Sequence, residues 1–398
     1  MNRFTDIVKP CAATVAGVVV ALGLMTTAKP VAAAEPVKVG LLLPYSGTYA
    51  RLGNAITNGL KLAVEENGGT LGGRDVEYVV VDTEADPGKA PANTNKLIVG
   101  EGVDFIVGPV HSGVAMGMLK VAREEGTITI IANAGLNAAT RELCAPNIFR
   151  TSFTAWQTAY PMGQVAVDRG YKNVVTIAWN YSFGTESLEA FEEGFTEAGG
   201  NVVKQILTPF PEVEFQSYLT EIASLEPDAV FAFYAGGGAA KFVKDYAAAG
   251  LKESIPLLGS GFVTDGVLEA QGDAADGVLT VLHYGEGLDN PVDQKFREAY
   301  SSEYGEQPDV YSVQGYDAGL LLVQGLEAVG GDTSDQEALI AAMERAEIDS
   351  PRGAYKFSKA HHPVQNIYLR EARDGVNQVI DVAAEALADP GTGCPMMQ

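Results

Sequence analysis

In "VGPVHSGVAMG" (Val107 to Gly117) a histidine, a serine and three glycines stand where an apolar run gives way to a helical pattern. A helix N-terminus carries partial positive charge and unpaired N–H groups, which an Asp or Glu commonly satisfies. This chain has 51 acidic residues and places none here, so Ser112 and the N–H groups beyond it are open to a foreign anion, a carboxylate above all. Ser112 capping its own helix is the alternative. Asn133, Ala134 and Gly135 in "ANAG" form a second cluster of main-chain groups after the next strand.

Catalysis fits these residues poorly. His111 and Ser112 are sequence neighbours, yet adjacency does not set a base on a nucleophile, and no G-x-S-x-G elbow surrounds the serine. His111 is read as a satisfied or ligand-contacting side chain. His361 and His362 lack further ligands at metal spacing and are read as a solvated loop, so no metal is expected. "YAGGGAAK" (Tyr234 to Lys241) matches neither phosphate-loop pattern. A secreted hydrolase using Ser112 as nucleophile is the least favoured function.

The N-terminus carries Arg3 and Lys9, an apolar run from Cys11 to Met25, and an A-x-A cut at Ala32 and Ala34. That is the pattern of a secretory signal peptide over residues 1–34, with Cys11 as ordinary apolar filler. No later stretch has the roughly 20 apolar residues of a membrane span, so no direct membrane insertion is expected. The formal charge of the whole chain is −24, a field that repels nucleic acid and anionic lipid. Cys144 and Cys394 remain after cleavage, and in an oxidising compartment they read as a disulfide tying the C-terminal tail to "ELCAPNIF". One buried thiol and one frayed tail is the alternative.

From "VKVGLLL" onward, apolar runs alternate with amphipathic helical stretches: a helix from about Tyr49 to Glu66, then "DVEYVVVD", "VDFIVG" and "TITIIA". The alternation restarts after "NIFRTSF" with "NVVTIAW", "NVVKQIL", "DAVFAFY", "IPLLGS" and "GVLTVLHY". This is the pattern of an α/β chain with two mainly parallel sheets flanked by helices. Two helices, Val292 to Tyr304 and Val313 to Ala328, have no strand of their own and should return to the first sheet. "GAYKFS", "NIYLREA" and "QVIDVA" close the chain. The chain then crosses between lobes about three times, with residues 35–153 and 285–357 in the N-terminal lobe and 154–284 and 358–398 in the C-terminal lobe. Several crossings at one edge make a hinge, and the hinge makes a cleft.

Ligands of open α/β sheets sit beyond the carboxyl ends of the strands. The residues there are "PYSGTYARLG", "GPVHSG", "ANAG", "WNYSFGTES", "YAGGGAAK" and "GSGFVTD". They hold Gly, Ser, Asn and aromatics, with Tyr45, Tyr49, Trp156, Tyr181, Phe183, Tyr234 and Phe262 in or near them. Such rings converging on one cleft suit a flat or apolar ligand.

Together "VKVGLLLPYSGTYARLG", "GLKLAVEENGGTLGGRDVEYVVVDTEADP", "VDFIVGPVHSG", "NIFRTSFTAWQ", "YSFG", "GVLTVL" and "VYSVQGYDAGLLL" resemble, in order and over essentially the whole mature chain, the type I periplasmic solute-binding proteins of ABC importers. The branch is that of the leucine/isoleucine/valine-binding protein. The resemblance implies two lobes on a three-segment hinge, a periplasmic location, closure on one small molecule, and docking on a membrane permease. Neither an enzyme nor a cofactor is implied. Ser112 matches the serine that holds a ligand carboxylate, Asn133, Ala134 and Gly135 the loop beside it, and Phe183 an aromatic that closes over the ligand. Leu52, Val110, His111 and Tyr311 fall where the family lines its side-chain pocket.

The amino-acid binders of that family set an acid in the loop written here "GSGFV", where this chain has Ser260 and Gly261. Burying an ammonium without a partner costs several kcal/mol. Asp265 lies downstream and is expected to cap the following helix rather than reach the cleft. The favoured ligand is therefore an aromatic acid of benzoate or hydroxybenzoate type, held by a monomer. The expected contacts are Ser112, His111, Asn133, Ala134, Gly135, Phe183, Tyr49, Trp156, Tyr181, Tyr234, Ala235, Gly261 and Tyr311. Alternatives are a branched-chain amino acid or small amide, met by Asp265, and a sensing subunit that passes closure to a signalling partner.

Overall fold

The structure, a computed structural model, describes residues 34–398. The leader expected from the sequence, with Cys11, lies outside them. Among the described residues no helix is long and apolar enough to cross a membrane.

The first sheet holds β1 (Val37–Leu43), β2 (Val76–Asp82), β3 (Phe105–Val107), β4 (Ile128–Ile131) and β5 (Ile148–Arg150) in the order β2-β1-β3-β4-β5. Every pairing is parallel. The inner strands β3 and β4 are buried throughout, as strands with helices on both faces must be. Between the strands run α1 (Ala50–Glu66), α2 (Ala90–Asn95) and α3 (Ser112–Glu125).

The second, eight-stranded sheet begins with β6 (Asn173–Trp179), β7 (Asn201–Thr208), β8 (Ala229–Phe233), β9 (Leu257–Ser260) and β10 (Leu279–Leu282), which are parallel. α4 (Tyr160–Asp168), α5 (Ser182–Glu197), α6 (Gln216–Leu225), α7 (Gly236–Ala248) and the short α8 (Leu268–Gln271) accompany them. The closing strands β11 (Lys356–Phe357), β12 (Pro363–Arg373) and β13 (Val376–Leu387) are antiparallel additions, β12 pairing with β10.

Three helices intervene where the sequence reading expected two: α9 (Pro291–Tyr304), α10 (Val310–Ala328) and α11 (Gln336–Glu344). α10 starts three residues before the expected Val313, because Asp309 and Ser312 form a reciprocal capping box that draws Tyr311 into the first turn. α10 does return to the first sheet, against α1. The two backbones meet so closely that a Cβ on Gly59 would lie 1.9 Å from Ser312 O, and one on Gly315 2.0 Å from Ile56 O. Only glycine fits at such a crossing.

The segments joining the lobes are braced to one another. Arg352 donates to Thr151 O at 2.7 Å and Ser152 O at 3.2 Å, and pairs with the buried carboxylate of Asp317 at 3.0 Å. Ser350 donates to the same Asp317 oxygen at 3.0 Å. Gln157 donates to Pro363 O at 3.0 Å and Leu387 O at 2.8 Å. Cys144 and Cys394 are joined in a disulfide, so the tail is tied to the segment before β5. Asp389 reinforces that tie with a two-point pair to Arg141, both bonds at 2.9 Å.

His361 and His362 do not form a solvated loop: both are buried. His361 stacks on Phe149 at 4.1 Å and pairs with Glu344 at 2.9 Å, while His362 accepts the Asp389 N–H at 2.9 Å. The partners lie far off in sequence, which is why the pair looked like surface. Among the described residues no group of three or more His, Cys, Asp or Glu could hold a metal ion.

Candidate functional site

A cavity lies at the carboxyl ends of both sets of strands, with about 260 Å3 of space between atoms, part of it continuous with solvent. The first lobe lines it with Tyr49, Leu52, Val110, Asn133, Gly135, Phe153 and Tyr311. The second contributes Tyr181, Phe183, Phe233, Ala235 and Phe262. The cleft is shut around it. Tyr49 and Tyr181 share a hydroxyl–hydroxyl bond of 3.0 Å across the gap, and His111 stacks on Tyr181 with ring centres 4.2 Å apart. Gly236, at φ +54°, lies so close to Thr48 that a Cβ there would sit 2.3 Å from its carbonyl oxygen.

The start of α3 departs from the reading in which Ser112 caps its own helix. His111, not Ser112, is the N-cap: its Nδ1 accepts the Gly113 N–H at 3.0 Å. Burial pushes the His111 imidazole down to about 4, so it is neutral and able to accept at neutral pH. Ser112 is then free of the capping role. It is fully buried, and its Oγ has no hydrogen-bond partner among the described residues.

The Asn133–Gly135 loop is held from behind. Arg150, at the end of β5, donates to Ala134 O, to Phe153 O at 2.6 Å and to Leu136 O at 2.7 Å. Three carbonyls are thereby turned toward one buried guanidinium. Burial lowers that group to about 10, which still leaves it charged at neutral pH. Asn133 Nδ2 donates to Gln314 at 2.7 Å, and Gln314 reaches the buried His283 at 3.2 Å. Gly135 must be glycine here, since a Cβ would lie 2.2 Å from the Phe183 ring and 2.6 Å from that of Phe153.

The remaining wall is aromatic. Phe183 meets Phe233 edge-on at 4.5 Å, and Phe153 lies 4.7 Å from Phe262. Such contacts fix a slot into which a flat ring fits. The Tyr311 hydroxyl faces this region buried and without a partner among the described residues. Its ionisation is pushed far up, by burial first and then by Asp265 and Asp309, so it stays a neutral donor.

Seven of the expected contacts, Tyr49, Asn133, Gly135, Tyr181, Phe183, Ala235 and Tyr311, border the cavity. Ser112 and His111 follow the wall residue Val110, and Ala134 faces Arg150. Trp156, Tyr234 and Gly261 are elsewhere. Trp156 stacks on Tyr160 at 4.6 Å and donates to Glu193 at the surface, while Tyr234 belongs to the core beside Phe242 and Trp179. Gly261 packs under Arg370. Asp265 does not cap the following helix, whose N-cap is Val267; it is fully buried in a 2.7 Å pair with Arg370. Phe153 and Phe233 were missed, one in a connecting segment and the other the last residue of its strand. Arg150 and Gln314 were missed too, although a lone arginine closing the apolar run "NIF" is a signal for a buried guanidinium.

These features are those of a two-lobed solute-binding protein with closed lobes. The periplasmic binding protein family model matches residues 36–377, and the chain belongs to that family. Members of the family are periplasmic solute-binding proteins rather than enzymes, and serve ABC transporters by taking a small molecule to a membrane permease. The Leu/Ile/Val-binding protein homolog 6 of Brucella abortus (strain 2308) is 34% identical over 382 residues, which cover 93% of this chain and 97% of that one. Among solved structures, an ABC transporter solute-binding protein from R. palustris in complex with benzoate is similar at 53% identity and a TM-score of 0.89, covering 90% of this chain and 99% of that one. A solute-binding protein from Rhodopseudomonas palustris BisB5 in complex with 3,4-dihydroxybenzoic acid is 34% identical with a TM-score of 0.84, covering 89% and 99%.

Proposed function

We propose that this protein captures an aromatic carboxylate of the benzoate or hydroxybenzoate type between its lobes and delivers it to a permease. The observation that carries the reading is the cavity itself: a slot between the lobes walled by Phe153, Phe183, Phe233 and Phe262, with the Tyr311 hydroxyl unpaired among the described residues at its wall. The carboxylate meets the Ser112 hydroxyl, the N–H groups at the start of α3 that His111 leaves free, and the Asn133–Gly135 loop. The ring lies among the phenylalanines, and the Tyr311 hydroxyl meets a ring substituent. The similarity to a benzoate complex supports this reading.

An α-amino acid would need an acid for its ammonium. Asp265 is paired with Arg370, and among the described residues no carboxylate borders the cavity. The branched-chain amino acid reading draws its support from the names of the Brucella relatives and stands as the second choice. Export through the leader, action as a monomer and the lobe boundaries expected from the sequence belong to the same proposal. Titration calorimetry with benzoate, 4-hydroxybenzoate, leucine and valine tests it. Binding in the micromolar range, about −8 kcal/mol, is expected for the two aromatic acids and none for the amino acids. Binding of leucine or valine alone would overturn the assignment.

A further inference from the structure

The second lobe grips the Asn133–Asn137 loop of the first in two ways, both from the first turns of α5. Phe183 lies against Gly135, and three residues later on the same helix face the Glu186 carboxyl accepts the Asn137 N–H at 2.9 Å. The loop thus borders the ligand cavity at one end and is held by the opposite lobe at the other. Asn137 is the first residue of a 3-10 turn (Asn137–Thr140), so its N–H has no partner within that turn. Glu186 supplies one from across the gap.

We propose that Glu186 is a positioning residue, a latch that closes the second lobe onto the ligand-gripping loop of the first and makes that closure depend on its own proton. The inference rests on the two-lobed binding reading but not on which ligand is bound. Shutting the lobes takes the carboxyl out of water while leaving it only partly compensated. Burial pushes it up to about 7, opposed by the Asn137 N–H and by Arg150 and Arg141 facing it from the first lobe. Glu189 on its own helix adds to the rise, and Asp389 occupies Arg141 from the far side. An open cleft returns Glu186 to water and toward the ordinary value of 4.5. The closed form therefore holds a proton that the open form releases. The contribution to closure is complete below the ordinary value and is lost as pH rises through about 7.

The test compares wild type, Glu186→Gln and Glu186→Ala with benzoate as probe, by calorimetry for affinity and stopped-flow for release. Between about pH 6 and about pH 8 the wild type should weaken roughly tenfold more than Glu186→Gln, which keeps an acceptor for Asn137 but carries no proton. His111 also changes surroundings on closure, but it is common to all three proteins and cancels. At about pH 4.5, where the latch is near its full strength, Glu186→Ala should release benzoate roughly tenfold faster than wild type. A Glu186→Gln protein that keeps the wild-type pH slope, or a Glu186→Ala protein with wild-type release at about pH 4.5, would overturn the latch. Wild-type protein that takes leucine and refuses benzoate would overturn the ligand assignment alone, and leucine then becomes the probe for the same two criteria.

Discussion

The first lobe meets the cavity with Asn133, the main chain at Gly135 and the Tyr311 hydroxyl among its apolar side chains. The second meets it with three phenylalanines, Ala235 and Tyr181, whose hydroxyl is already bonded to Tyr49. The first wall sets polar atoms among its rings, whereas the second is chiefly rings. The polar wall is braced from behind, by Arg150 on three carbonyls and by Gln314 on Asn133, so its groups are set before any ligand arrives. The aromatic wall is completed only by closure, when Phe183 reaches Gly135 and Phe153. Preorganised polar groups lose little freedom on binding, which leaves ring burial to drive the lobes together.

Removing a ring should therefore hurt most. Phe183→Ala opens the slot and exposes the ring of the ligand, and a loss of roughly a hundredfold or more in benzoate affinity is expected by calorimetry. Its melting temperature should be followed alongside, since Phe183 is buried. Gly135→Ala attacks the meeting point of the two walls. The new Cβ pushes Phe183 back, and overpacking of this kind should weaken binding roughly tenfold to a hundredfold while each lobe remains folded. Ser112→Ala tests the polar wall alone: a single charge-assisted bond is lost, worth roughly tenfold or somewhat more. Tyr311→Phe should be the mildest with benzoate, about threefold or less, and distinctly larger with a hydroxylated ring whose hydroxyl loses its partner. Equal effects of Tyr311→Phe on both ligands would show that the phenol does not face the ring substituent.

Strands and the long helices were legible in the sequence because their signals are local. "VKVGLLL" became β1 from Val37 to Leu43, and the helix expected to end at Glu66 does so. The start of α10 was missed by three residues, though the signal was present in Asp309 and Ser312. α11, nine residues capped by Asp335, was too short to stand out. In the site, the rule that ligands meet the loops after strands found Asn133, Gly135, Phe183 and Ala235. It could not find Phe233, which belongs to its strand, or the fate of Asp265, settled by Arg370 a hundred and five residues later. Buried pairs across such separations leave no periodic trace. Trp156 and Tyr234 show the converse error, since an aromatic beside a cleft loop is as readily turned to surface or core.

The contrast between the two walls comes down to which way a bound acid points, and a crystal structure of the protein grown with benzoate reads that directly. The account predicts closed lobes, carboxylate oxygens within hydrogen-bond distance of the Ser112 hydroxyl and the Asn133–Gly135 loop, and a ring among Phe153, Phe183, Phe233 and Phe262. A carboxylate turned toward Tyr311, or benzoate bound outside the inter-lobe cavity, would contradict it.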